Sequence, residues 1–213
     1  MKVDYGPFRL VYLMQNIRTK GISAMTQSRV LALVGSLRSG AVSRQLADTA
    51  SHVAPAGTEV VVFEGLENVP FYNPDIDDAD APIPAVEALR SAAGAADALL
   101  LVTPEYNGTI PAVLKNAIDW ISRPYGNGAV AGKPVAVISS SPSQNGAQWA
   151  HADTRKAVGV AGGRVLEDVS ISVGGTGAKF GDKHPRENAE VAGQIAGIVT
   201  ELVSASRGEL LSA

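Results

Sequence analysis

Cysteine is absent from the 213 residues. That excludes disulfides, thiolate metal sites, cysteine nucleophiles and dithiol redox chemistry, so any electrons this protein moves must travel on a bound organic cofactor. Aromatic residues make up only 5%, and there are three histidines, His52, His151 and His184. Their separations match no metal-ligand spacing, and each reads as a surface residue. No apolar run is long enough to span a bilayer. Lysine and arginine form no cluster, and a formal net charge of −3 argues against a general nucleic-acid binder. Phe8 to Met14 is too short and too interrupted for a signal peptide, so a cytoplasmic location is expected by default. Residues 1–28 read as a poorly ordered extension that the fold does not need, with Met25 as an alternative start. Residues 29–213 then form one domain, since the length suits a single α/β core and no repeat or linker divides it.

What is present begins with Val30-Leu31-Ala32-Leu33-Val34-Gly35-Ser36-Leu37-Arg38-Ser39-Gly40-Ala41-Val42-Ser43. A β-branched apolar run ends at Gly35, small and polar residues follow, and a helical pattern starts near Val42. The first N–H groups of such a helix lack carbonyl partners and its dipole is positive there, so an anion fits. Ser36, Ser39 and Ser43 offer hydroxyls, and Arg38 offers a planar fork matched to phosphate. The glycine spacing is neither a P-loop nor a dinucleotide fingerprint. The alternative is an ordinary strand-to-helix turn in which Ser43 caps the helix and Arg38 is solvated.

Further strands are expected over Glu59–Phe63, Asp97–Thr103, Pro134–Ile138 and Arg164–Val173. Helices are expected over about Val42–Val53, Pro82–Ala93, Ile110–Ser122, Ala147–Val160 and Glu187–Ser206. Five strands alternating with five helices imply a doubly wound parallel sheet, whose ligands sit beyond the carboxyl ends of the strands where the order reverses. The loop after the third strand, Thr103-Pro104-Glu105-Tyr106-Asn107-Gly108-Thr109-Ile110-Pro111, is unusual. Gly108 reads as a turn glycine, Thr109 as an N-cap and Pro111 as an early helix residue. Glu105, Tyr106 and Asn107 are left over, and a planar aromatic ligand would use them, with the N–H groups of Tyr106 to Gly108 facing its polar edge.

Gly35-Ser36-Leu37-Arg38 with Ser43, then Pro104-Glu105-Tyr106-Asn107 with Pro111 and Leu114-Lys115-Asn116-Ala117-Ile118-Asp119-Trp120, resemble the NAD(P)H-dependent FMN reductase family. This is the flavodoxin-like group of chromate, quinone and azo-dye reductases, and the similarity runs from about Val30 to Leu202. Asn68 to Asp75 also resembles the family's loop after strand two, and Phe180 its segment before the last helix. The resemblance implies a five-stranded sheet of order 2-1-3-4-5. It implies FMN as cofactor and NADPH or NADH as co-substrate, with hydride passed to small-molecule acceptors such as quinones, free flavin, azo dyes or chromate. It also implies a homodimer or homotetramer. Ser36, Leu37, Arg38 and Ser43 would then surround the FMN phosphate, and Pro104 to Gly108 would line the isoalloxazine. Ser140, Ser141 and Gly146 match the family's loop after strand four loosely. There Ala147 replaces a second glycine, and Ala112 stands where the family often has glycine.

No metal is implied, because Arg38 and the helix terminus can neutralise a monophosphate. No catalytic side chain is named, because hydride transfer from a stacked nicotinamide needs no protein acid or base. Trp120 and Trp149 read as packing or subunit-interface residues, and Lys115 with Asp119 as a surface ion pair. Glu105 has two open roles, helping form the site or pairing across an interface. Two other functions compete: a flavodoxin-like electron carrier without NAD(P)H oxidation, against which the mild acidity counts, and a non-redox phosphate-ligand binder.

Overall fold

The computed structural model describes residues 27–208, so the expected disorder of the N-terminal extension lies outside the described residues apart from its last two positions. Ser28 already opens the first strand, pairing with Thr58. Five strands form one sheet: β1 (Ser28–Val34), β2 (Thr58–Val62), β3 (Ala98–Thr103), β4 (Pro134–Ser140) and β5 (Arg164–Val173). All four pairings are parallel and the order is β2-β1-β3-β4-β5, as the resemblance implied.

Side chains alternate across a strand, so a run apolar at every position must be covered on both faces. β1, β3 and β4 meet that condition. Val30, Ala32, Val34, Leu100, Val102 and Ile138 face one layer, made by α1 (Val42–His52) and the last helix, α6 (Ala189–Ser206). Leu31, Leu33, Leu99, Leu101, Val135 and Val137 face the other. That second layer consists of α2 (Pro84–Ala95), α3 (Ala112–Ile121) and α4 (Gln148–Val160). Trp120 is fully buried here, which confirms packing as its role.

Three local readings change. The last helix starts at Ala189, because Pro185–Glu187 is a separate 3-10 turn closed by a capping box between His184 and Glu187. A five-residue helix, α5 (Thr176–Phe180), follows β5, where the pattern placed no helix before the last one. β5 also carries an irregularity: Val135 pairs with Val165 but Val137 pairs with Ser170. Extra residues between those points bulge away from β4 at the sheet edge.

Because β2 lies on one side of β1 and β3 on the other, the chain reverses direction across the sheet between β1 and β3. The loops leaving β1 and β3 therefore part at their bases, and a crevice opens between them.

Candidate functional site

At that crevice lies a cleft of about 210 Å³, lined by Ser36, Arg38, Val42, Ser43, Pro104, Glu105, Tyr106, Ser140, Ser141 and Thr176 among others. α1 begins at its wall. Ala41, not Ser43, occupies the N-cap position and no side chain caps the helix, so the capping alternative for Ser43 is overturned. The first backbone bond of this turn is Gln45 N–H to Ala41 O at 3.1 Å, leaving the N–H groups of Val42, Ser43 and Arg44 ahead of it. Ser43 is 2% exposed and its Oγ has no hydrogen-bond partner among the described residues. An unpaired buried hydroxyl costs about 1–3 kcal/mol, so such a group calls for an explanation. Arg38 is exposed and forms no salt bridge among the described residues. Its neighbour in sequence, Ser36, accepts the Arg38 N–H at 3.3 Å and lies 3.3 Å from the Tyr106 hydroxyl.

The loop after β3 is a tight hairpin. Tyr106 and Thr109 exchange both backbone bonds at 3.3 Å, and Asn107 (φ 53°) and Gly108 (φ 76°) both lie in the left-handed region. That is the signature of a type I′ turn, which selects Asn-Gly. It corrects two expectations. The N–H of Tyr106 is engaged by Thr109, so of the three N–H groups expected to face a ligand only those of Asn107 and Gly108 remain. Thr109 is not an N-cap: Pro111 holds that position, and the Thr109 hydroxyl donates to Asp153 on α4. Glu105 turns inward. Its Oε2 accepts the N–H groups of Trp149 (3.2 Å) and Ala150 (3.1 Å), supplying from a distant loop the cap that Ala147 cannot give α4.

Behind the cleft, His151 corrects the reading of every histidine as a surface residue, being only 8% exposed. Ser139 Oγ donates to the Gly146 carbonyl at 2.7 Å and lies 3.1 Å from His151 Nδ1. Since Ser139 spends its one proton on the Gly146 carbonyl, the hydrogen-bond network assigns a proton to His151 Nδ1, which donates it to Ser139. Burial, with the Arg155 charge assisting, pushes the His151 pKa down to about 4. Gly146 (φ 63°) is held so close to β5 that a Cβ there would sit 2.9 Å from the Ser172 carbonyl carbon.

α3 holds the loop after β2. Asn116 accepts the Tyr72 N–H at 2.8 Å and donates to the Pro70 carbonyl at 2.9 Å, and the Trp120 indole N–H donates to that same carbonyl at 2.7 Å. A second groove of about 500 Å³ adjoins the cleft through Ser36 and Arg38 and is lined by Leu37, Arg44, Phe63, Glu64 and Glu67. Arg44 is paired with Glu64 and Asp48. The bond from Arg44 holds the Glu64 carboxyl below its usual range. Lys115 and Asp119 form the expected ion pair at 2.6 Å, half exposed and so worth under about 1 kcal/mol.

Of the residues singled out in the sequence, the structure gathers Ser36, Arg38, Ser43, Pro104, Glu105, Tyr106, Ser140 and Ser141 around one cleft. Leu37 lines only the neighbouring groove, Asn107 and Gly108 form the hairpin tip, and Gly146 is buried in the scaffold. Thr176 was missed. It is 4% exposed and lines the cleft, and the Gly174-Gly175 pair before it was the available signal.

The model of the family described as NADPH-dependent FMN reductase matches residues 28–177. The chain belongs to this family. A quinone reductase of Pseudomonas putida is 37% identical over 153 residues, 72% of this chain and 81% of that protein. A 2-hydroxy-1,4-benzoquinone reductase of a Burkholderia species is 39% identical over 127 residues, 60% of this chain and 68% of its own. Among solved structures, the reductase superposes on FerB, a flavoenzyme NAD(P)H:(acceptor) oxidoreductase from Paracoccus denitrificans, with a TM-score of 0.75. Identity there is 30%, covering 85% of this chain and 98% of FerB. The protein is thus an NAD(P)H-dependent, FMN-using oxidoreductase of flavodoxin-like fold. Among the described residues no helix is long and apolar enough to cross a membrane.

Proposed function

We propose that the cleft between the loops after β1, β3 and β4 grips FMN by its phosphate, and that the enzyme reduces quinone-type acceptors. One observation carries the reading: the buried, unpartnered Ser43 hydroxyl lines the same cleft as Arg38, which has no carboxylate partner among the described residues. The donor set fits a phosphate dianion, combining a hydroxyl, a guanidinium and free N–H groups at the start of an eleven-residue helix. When bound, FMN supplies the two-electron relay between a reduced nicotinamide and the acceptor.

The chain's own residues bind and orient. Ser36, Arg38, Ser43 and Thr176 hold the anionic end. Pro104, Tyr106 and the N–H groups of Asn107 and Gly108 form the wall offered to the ring, on a hairpin fixed to α4 by Glu105 and Thr109. Ser140 and Ser141 close the opposite side. The net reaction, NAD(P)H plus a proton plus quinone giving NAD(P)⁺ plus hydroquinone, balances with a proton from solvent and needs no side-chain acid. Quinones are favoured over other acceptors because two of the relatives above carry quinone reduction in their names. A cytoplasmic location follows from the need for reduced nicotinamide.

We also infer a dimer or tetramer. It is supported by a groove of about 440 Å³ between α3 and α4, lined by Ile110, Ile118, Tyr125 and Val160 and checked by light scattering. The test of function is an anaerobic absorbance spectrum followed by NADH and NADPH titration. Bound flavin that bleaches on addition is the expected result. Colourless protein that takes up no FMN overturns the proposal, and flavin that stays oxidised favours an electron carrier.

A further inference from the structure

The two tryptophans have opposite fates: Trp120 is fully buried, whereas Trp149 is 64% exposed. An exposed indole is ordinarily a surface accident. Here it is mounted at a particular place and held still. Trp149 lies in the first turn of α4, and its backbone N–H is fixed by the Glu105 carboxylate at 3.2 Å. Four residues on, Asp153 of the same helix accepts from Thr109. These two clasps bracket the Tyr106–Thr109 hairpin. The indole itself lies over the hairpin tip, since a Cβ on Gly108 would be 3.5 Å from Trp149 Cε3. Glu105 and Tyr106, at the base of that hairpin, line the FMN cleft, and Tyr106 is itself 51% exposed. A flat apolar face therefore stands against the tip of the hairpin whose base lines the cleft, on a support that loses little freedom when something is laid against it.

We propose that Trp149 is the platform on which the planar ring of a quinone acceptor stacks, making it a specificity-determining residue for the second substrate. The inference rests on the FMN assignment above. A small uncharged quinone offers an enzyme little besides two carbonyls and a π-face. An indole is the side chain best suited to that face, and the stacked pose keeps the ring flat for hydride delivery. An inorganic acceptor such as ferricyanide has no such face.

The test compares Trp149→Ala, Trp149→Leu and Trp149→Phe holoenzymes with the parent, after flavin content has been read from absorbance. Equilibrium binding of 1,4-naphthoquinone to the oxidised holoprotein, without NAD(P)H, is measured first. Steady-state turnover with 1,4-naphthoquinone and with ferricyanide follows. A stacking contact predicts an about three- to tenfold weaker Kd for the alanine and leucine variants. It also predicts an equal fall in the ratio of naphthoquinone to ferricyanide kcat/KM, with phenylalanine restoring most of both. Should Trp149→Ala fail to fold, the leucine–phenylalanine contrast decides, because leucine keeps apolar bulk without a π-face. Flavin-loaded variants that all match the parent in Kd and ratio overturn the stacking role alone. Parent protein that takes up no FMN overturns the cleft assignment and this inference with it.

Discussion

The loops leaving β1 and β4 reach the same edge of the sheet, yet they dispose of their polar groups in opposite ways. After β4, Ser139 bonds Gly146, Ser141 Oγ accepts the Ser143 N–H at 3.1 Å, and Asn145 accepts the Ala147 N–H at 3.2 Å. The carbonyl of Ser143 receives the Gly175 N–H at 3.0 Å, tying the loop to the segment after β5. After β1, Ser43 Oγ, the Arg38 guanidinium and the first N–H groups of α1 are left without partners among the described residues. The loop after β4 holds its own shape while Ser140 and Ser141 line the cleft. The one after β1, which leaves a buried donor unpaired, fits the proposed phosphate ligand, because buried polar groups are nearly always paired.

That contrast breaks most visibly at Gly146. Gly146→Ala forces a Cβ to 2.9 Å from the Ser172 backbone at a positive φ, and should destabilise the fold by about 3 kcal/mol in urea unfolding. Loss of under about 1 kcal/mol would mean that the β4 loop is not the rigid partner.

His151 sharpens the same point through pH. Its pKa is about 4 in the folded protein against 6.5 ordinarily, so the unfolded chain binds the proton first as pH falls. Stability from this group is complete well above pH 6.5 and declines as pH drops toward 4, by about 3 kcal/mol in all. Replacing His151 by Gln should flatten that slope in urea midpoints measured across the window. An unchanged slope would assign it to other groups.

On the β1 side, Arg38→Ala should leave urea stability within about 0.5 kcal/mol, because the exposed side chain forms no salt bridge among the described residues. FMN affinity, read by recovery of flavin fluorescence, should fall roughly ten- to a hundredfold, the worth of a charge-assisted hydrogen bond of about 1.5–3 kcal/mol. Equal damage to stability and binding would erase the distinction between the two loops. The smallest effect belongs to Tyr106→Phe. It removes one 3.3 Å hydroxyl contact to Ser36 and should change FMN affinity by no more than about 1 kcal/mol in the same titration.

Much of this could be read from the chain. Unbroken apolar runs in β1, β3 and β4 demand cover on both faces, and their alternation with helices leaves few topologies. The Gly-Ser-Leu-Arg and Pro-Glu-Tyr-Asn segments announced the cleft because strand-to-helix turns display their chemistry locally. What the chain concealed depends on meetings across long separations. Glu105 caps a helix 44 residues away, His151 of α4 is bonded to Ser139 of β4, and Thr176 enters the cleft after β5. Thr109 looked like an N-cap until Asp153 offered a nearer partner.

The alternation of strands with helices, the two-sided core and the proposed phosphate-binding turn follow from local pattern, because hydrophobic period, turn chemistry and the free N–H groups of a helix start are properties of neighbouring residues; the strand order came only with the family resemblance. Whether a given polar side chain faces ligand or protein was settled only on folding. A hydrogen bond has a fixed reach of a few ångströms, and which atoms come within it is decided by packing, not by distance along the chain.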